Sequence, residues 1–291
     1  MNNKALFLCT GADRRQLYAA KKLNDIGIAE VLTFRTDGTA ENVRSIDSLD
    51  ELERSVDLLL LPMPCSNGLN IPVLGRQLSC ESFLNCLGKS AIVTGGAMNT
   101  AMIEFFNSHG FDTADYYRRE ELVVKNCIPT AEGALSIALN ELDVTVRGTS
   151  TLICGWGRVA KACASLFSAV GAKVFIAARS VNALAEAESS GFDAFELKTL
   201  KEHISDYRLI INTIPAMVLT GDILEKTRKN CLIIDLASKP GGTDFLACDK
   251  LSRRVIHALS LPGKCAPVTA GEIIADAVVN IYNERSGRNV T

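Results

Sequence analysis

The chain has 291 residues, 47% of them hydrophobic and 22% charged, and a formal net charge of −2. That length and apolar content can bury a large core and point to two domains rather than one. The near-neutral balance supplies no basic field, which argues against nucleic acid or an anionic membrane as partner.

The ten cysteines fall inside strand and helix patterns, as at Cys9, Cys154, Cys163 and Cys231, and no Cys-x-x-Cys pair occurs. His109, His203 and His257 share no ligand spacing with them, so buried thiols in a reducing cytosol are expected, with no metal site. The apolar run from Ala5 to Cys9 is too short for a signal peptide and is soon followed by Asp13, Arg14 and Arg15. Apolar runs such as Leu58 to Leu61 are strand-length, so no membrane span is expected and a cytoplasmic location is.

Strand-period and helix-period segments alternate along the chain, the pattern of α/β folds with parallel sheets. In the first half, strands are predicted near Ala5–Cys9, Glu30–Phe34, Asp57–Leu61 and Ala91–Thr94. Helices are predicted near Arg14–Ile26 and Asn99–Ser108, closed by Gly27 and Gly110. The first turn, Thr10 to Arg15, lacks a three-glycine spacing and carries charge where a pyrophosphate would need bare backbone. It suits a substrate better than a dinucleotide.

Between the halves, Pro129 predicts the end of an extended segment and Thr130 the N-cap of a linking helix over 130–142, with Glu132 in its first turn. A helix so placed is expected to pass through a cleft flanked by two Rossmann-like domains.

The second half opens on a strand from Thr151 that enters Gly155-x-Gly157-x-x-Ala160. The first glycine makes the tight turn, the second lets backbone amides approach a pyrophosphate, and the small Ala160 lets helix and strand pack closely. Val159, Ala162, Cys163, Leu166, Phe167 and Val170 then share one helix face before Gly171. The next strand, Lys173–Ala178, ends at Arg179 and Ser180. An NAD-binding chain usually places Asp or Glu there, about 20 residues on, to hold the ribose 2′-hydroxyl. A guanidinium and a hydroxyl suit a 2′-phosphate instead, so the cofactor is expected to be NADP.

Later strands are predicted at Leu209–Asn212, Leu232–Asp235 and Val255–Leu259. The loops that follow them hold Thr213, Ile214 and Pro215, then Ala237, Ser238 and Lys239, then Pro262. Ligands collect at the carboxyl ends of such strands. Finally, Thr269 to Glu272 reads as a capping box opening a helix whose apolar face includes Ile273, Ile274, Ala277, Val278, Ile281 and Tyr282. That helix is expected to pack back on the first domain. The domains would then be 1–128 with 269–291, and 129–268.

Several of these segments together carry a family resemblance. They are Asn212-Thr-Ile-Pro215, the Ala-Ser-x-Pro-Gly-Gly-Thr-Asp-Phe run from Ala237 to Phe245, and Leu261-Pro-Gly-x-x-Ala-Pro-x-Thr-Ala-Gly271. Ile128-Pro-Thr-x-Glu-Gly133 and the early set Gly11, Asp13, Arg15 and Gln16 complete them. The chain resembles the A subunits of dipicolinate synthase from spore-forming bacteria. It departs at the opening turn, Thr-Gly-Ala-Asp-Arg-Arg, which leaves open whether Arg14 or Arg15 takes the family role.

The resemblance implies NADP-dependent oxidation of a cyclic dicarboxylate, dihydro- or hydroxytetrahydro-dipicolinate, to pyridine-2,6-dicarboxylate in the sporulating mother cell. It implies as partner the flavoprotein-like B subunit of dipicolinate synthase, and a homo-oligomer is expected. The cofactor set is then Gly155, Trp156, Gly157, Arg158, Val159, Arg179, Ser180, Thr213, Ile214, Pro215, Ala237, Ser238 and Pro262. Asp13, Arg14, Arg15, Ser66 and Thr130 are the substrate-binding candidates. Lys239 and Glu132 are favoured for proton transfer; Asp13 reads equally as a helix cap, and His257 as a buried neutral ring among apolar neighbours. Two other readings stay open: a two-domain dehydrogenase of shikimate, methylenetetrahydrofolate or 2-hydroxyacid type, and a non-catalytic NADP(H)-sensing subunit.

Overall fold

Short runs of buried aliphatic residues form the strands, and a helix between most successive strands makes their pairing parallel. The computed structural model describes residues 4–287. The first half runs β1 (Ala5–Gly11), α1 (Arg14–Ile26), β2 (Ala29–Thr36), β3 (Arg44–Ile46), β4 (Val56–Leu60), the hairpin β5 (Asn70–Val73) and β6 (Arg76–Ser79), β7 (Leu87–Gly95), α2 (Thr100–Ser108) and β8 (Asp112–Asp115). After α3 (Glu120–Glu141) come β9 (Ser150–Cys154), α4 (Arg158–Ala169), β10 (Lys173–Ala178), α5 (Val181–Ser189), β11 (Asp193–Glu196), α6 (Leu200–His203) and β12 (Leu209–Asn212). The chain closes with α7 (Gly221–Leu224), β13 (Leu232–Asp235), α8 (Phe245–Lys250), β14 (Arg254–His257), α9 (Leu261–Cys265) and α10 (Pro267–Ser286).

These elements form two units, one reaching to Asn126 and resuming at Ala266, the other Cys127–Cys265. Unit 1 holds a six-stranded sheet in the order β3-β2-β1-β4-β7-β8, unit 2 one in the order β11-β10-β9-β12-β13-β14. Every neighbouring pair in both is parallel. Each sheet is thus doubly wound, with its first strand in the middle and the order reversing beside it, which opens a crevice at the carboxyl ends of β1 and β4 in one and of β9 and β12 in the other.

In unit 1, α10 packs on α1. Gly271 permits this, since a Cβ there would lie 2.6 Å from the Arg15 carbonyl and 2.6 Å from Tyr18 Cβ. Ile273, Ile274, Ala277, Val278 and Ile281 join the core that contains Phe7, Ala19, Ala20 and Leu23. Ion pairs of Arg119 with Glu284 at 2.6 Å and Lys125 with Asp276 at 2.8 Å fasten the outer face.

Three expectations need correction. Pro129 does not end an extended segment, and Thr130 does not open a helix: both lie inside α3, as does Glu132. An interior proline costs a helix about 3 kcal/mol. Here Leu122 is buried in the core of unit 1, and Ala131, Ala134 and Ala138 are buried in that of unit 2, so burial on both sides of the proline offsets the local cost. The capping box at Thr269 does not open the last helix either, because that helix already starts at Pro267, and proline is well suited to a first turn. Finally, β14 stops at His257 rather than continuing to Leu259.

By length and composition α3 could cross a membrane, but its central alanines are core residues of a folded unit. None of the ten cysteines is in a disulfide, and only Cys265 is exposed.

Candidate active site

Unit 2 presents the carboxyl ends of β9, β12 and β13 side by side, and the loops that follow them are braced on one another. Gly155 has φ +107°, and a Cβ on it would lie 2.5 Å from Thr213 Oγ1. That hydroxyl donates to the Cys154 carbonyl at 2.8 Å. Gly157 is the N-cap of α4, is exposed, and offers no side chain to the first-turn amides. A Cβ on it would meet nothing within 4 Å. Backbone amides at the positive end of a helix, beside open space and with no acidic residue in the first turn, form an anion cradle. The residues present therefore fit a dinucleotide pyrophosphate.

Around this cradle the predicted residues differ in what they can offer. Arg158 is exposed at the first position of α4. The Trp156 ring packs at 5.7 Å from Phe192 and 5.8 Å from Lys161 Nζ. Val159 likewise packs its side chain against the unit 2 core. Arg179 is exposed just beyond β10, and among the described residues no carboxylate pairs with it. Ser180 caps α5, accepting from the Ala183 amide at 3.2 Å, and its hydroxyl proton remains available to donate. The acidic position opposite Ala178 in register is Glu196, and it is ion-paired to Lys198.

The loops after β12 and β13 are locked by two residues that sequence reasoning missed as site residues, Asn212 and Asp235. Both are fully buried. Asn212 Nδ2 donates to Asp235 Oδ1 at 3.0 Å, and its Oδ1 accepts from the Ile214 amide at 3.1 Å. Asp235 also accepts from the Ala237 amide at 3.0 Å, the Gly242 amide at 2.9 Å and the Thr243 hydroxyl at 2.7 Å. Gly242 completes the lock, since a Cβ there would collide with the Ile214 carbonyl. The signal was available: each is a polar residue ending an otherwise apolar strand, Leu-Ile-Ile-Asn and Leu-Ile-Ile-Asp.

From this base Ser238 and Lys239 project exposed, as does Pro215, whereas Pro262 and Ala237 are buried. His257 is half-buried, donating from Nε2 to the Ala237 carbonyl at 3.0 Å and stacking on Phe245 with centroids 4.9 Å apart. Glu132 is exposed and Thr130 half-buried on α3.

Unit 1 fills its own crevice. Asp13 is the N-cap of α1, and its carboxylate accepts from the Arg15 amide at 2.8 Å. Arg15 is buried and returns two charge-assisted bonds to Asp13 while donating to the Met63 carbonyl at 2.7 Å. Burial pushes the Asp13 carboxyl up, but the hydrogen bonds and charge of Arg15 outweigh it and leave it below the usual carboxylate range. Arg14 is exposed, with Nη2 2.8 Å from Tyr18 Oη. Ser66 accepts from Asn99 Nδ2 at 2.7 Å. Beneath them Gln16 is fully buried, its Nε2 3.4 Å from Tyr116 Oη.

Comparison with known proteins agrees with this division. Residues 7–117 match the model of the N-terminal domain of the dipicolinate synthase A subunit, and residues 134–249 match that of the S-adenosyl-L-homocysteine hydrolase NAD binding domain. The crystal structure of the dipicolinate synthase A subunit from Bacillus halodurans superposes with a TM-score of 0.86 at 31% identity, covering 95% of this chain and 97% of that one. The corresponding chain from Bacillus subtilis also superposes with a TM-score of 0.86, at 28% identity over 99% of this chain and 98% of that one. In sequence, the dipicolinate synthase A subunit of Bacillus subtilis strain 168 is 30% identical over 285 residues, 94% of each chain. This chain, with an NAD(P)-binding Rossmann domain as its second unit, therefore belongs to the family of dipicolinate synthase A subunits.

Proposed function

We propose that the chain is an NADP-dependent oxidoreductase that converts dihydro- or hydroxytetrahydro-dipicolinate to pyridine-2,6-dicarboxylate, acting in the mother-cell cytoplasm with the flavoprotein-like B subunit. The observation that carries the cofactor choice is Arg179, exposed at the end of β10 and paired with no carboxylate among the described residues. A guanidinium there attracts a 2′-phosphate dianion and gives a bare diol little.

The dinucleotide, when bound, supplies a hydride acceptor. Gly155 and Gly157 bring backbone amides to its pyrophosphate, with Arg158 beside them. Arg179 and the Ser180 hydroxyl take the adenosine end. Thr213, Ile214, Ala237 and Ser238 form the floor on the nicotinamide side. Two hydrogens leave the dihydro ring, one as hydride and one as a proton; the hydroxytetrahydro form also loses water. Lys239 and Glu132, both exposed, are the groups to accept that proton.

Of the two arginines, Arg14 is the better substrate ligand. Its guanidinium is exposed and, among the described residues, hydrogen-bonded only to a neutral hydroxyl, whereas Arg15 is committed to Asp13 and Met63. A ring carrying two carboxylates calls for such a cation.

The test is a turnover assay with the purified chain, NADP⁺ and enzymatically generated hydroxytetrahydrodipicolinate, with and without the partner flavoprotein. Pyridine-dicarboxylate absorbance appearing together with NADPH, and lost in Arg14→Ala and Lys239→Ala, is expected. If turnover requires the partner and survives both substitutions, the chain has a sensing role instead.

A further inference from the structure

Asp235 is a buried carboxylate that, among the described residues, has no cation in contact. Its four hydrogen-bond partners, Asn212 Nδ2, the Ala237 and Gly242 amides and the Thr243 hydroxyl, are all neutral groups able to donate. That set suits the anionic form, which can only accept. Among the described residues no lysine or arginine forms an ion pair with it. The ionisable groups on the adjoining segments include His257, whose Nε2 is spent on the Ala237 carbonyl, Lys239, which is exposed, Asp244, which caps the next helix, and Arg254 on β14. Burial, and then the neighbouring Asp235, push the Cys154 thiol up to about 12.

An uncompensated charge in a low-dielectric setting acts over several ångströms. Asp235 lies directly under the loop from Ala237 to Thr243, at the carboxyl edge of β13. Nicotinamide is cationic when oxidised and neutral when reduced, so a fixed anion beneath its floor does not treat the two forms alike. We infer that Asp235 is a positioning residue that also biases unit 2 toward the oxidised dinucleotide, favouring hydride transfer from substrate to cofactor. This rests on the reading of unit 2 as a nicotinamide dinucleotide site.

The experiment is calorimetric titration of the whole chain with NADP⁺ and, separately, NADPH, for the wild type, Asp235→Asn and Thr243→Val. The wild type is expected to bind NADP⁺ more tightly than NADPH. Asp235→Asn should shrink that ratio by about tenfold, the scale of one charge acting at partly screened range. Thr243→Val loosens the same loop while keeping the charge, so it should weaken both forms alike and leave the ratio within about twofold. Equal losses for both forms in Asp235→Asn would overturn the inference. So would tighter NADPH binding by the wild type, a result that stands even if Asp235→Asn does not fold. Binding of neither form by the wild type would instead remove the dinucleotide reading itself.

Discussion

Arg15 Nη2 lies 2.6 Å from Asp13 Oδ2, and the same nitrogen donates to the Met63 carbonyl at 2.7 Å, so one buried guanidinium ties the start of α1 to the loop after β4. Breaking a buried pair leaves a charge without its partner, which costs more than the pair contributes. Arg15→Ala is therefore expected to lower unfolding stability by about 3 kcal/mol, somewhat moderated because Asp13 keeps some contact with water. Urea denaturation measures it; an unchanged midpoint would refute the clasp.

The same pair sets a pH dependence. The folded Asp13 carboxyl sits below its ordinary value of 3.8 and so holds its proton less readily than in the unfolded chain. The stabilisation is fully present above the unfolded value and is lost as pH falls through the folded one. Thermal melts between about pH 5 and 2 should fall less steeply for Asp13→Asn than for the wild type, once each is referred to its own value at pH 7. Parallel curves would exclude Asp13 from the acid transition.

Arg179→Asp should erode or reverse the preference for NADP⁺ over NAD⁺ and leave the fold intact. A hydrogen bond to a charged group contributes about 1.5–3 kcal/mol, roughly tenfold to a hundredfold in affinity. Side-by-side titrations give the ratio directly, and equal NADP⁺ affinity in the two proteins would sink the assignment.

Gly157→Asp should move stability and binding in opposite directions. The backbone there, φ −81° and ψ −175°, suits any residue, and a Cβ would meet open space. A carboxylate at that N-cap would satisfy the first-turn amides and add a few tenths of a kcal/mol, about what Asp gains over Gly. It would also occupy the place proposed for the pyrophosphate. A slightly raised melting temperature with dinucleotide binding abolished is the expected pair of results; retained binding would place the phosphates elsewhere.

Gly242→Ala tests the loop lock. A methyl group driven into the Ile214 carbonyl and Asn212 Nδ2 must push the two loops apart. A loss of about 3 kcal/mol is expected, at the upper end for overpacking. Denaturation of this variant beside Gly157→Ala, where no neighbour is met, separates crowding from the general effect of adding a methyl group.

The sequence made some of this readable and hid the rest for identifiable reasons. Lys173–Ala178, Leu209–Asn212 and Leu232–Asp235 match the observed strands, because buried parallel strands are unbroken apolar runs. The edge strands Arg44–Ile46 and Asp112–Asp115 were missed, being short and polar as sheet edges tend to be. The hairpin of β5 and β6 escaped because Pro72 lies within its first strand. Pro129 misled for another reason: its local rule is sound, but tertiary burial on either side overrode it. In the site, the glycine cradle was legible as a spacing. Asn212 and Asp235 were legible only as polar ends of apolar strands, a place that ordinarily meets water, and the fold alone reveals that these two meet each other.

The shared strand order of the two sheets has a consequence for how this chain can be engineered. Each half is a copy of the other's plan, differing in what occupies the first helix terminus: a glycine in one, the protein's own aspartate in the other. A guest anion is expected at the helix start capped by glycine and not at the one capped by aspartate. One molecule of dinucleotide per polypeptide is the stoichiometry this asymmetry predicts, and each half serves as the internal control for changes made in its twin.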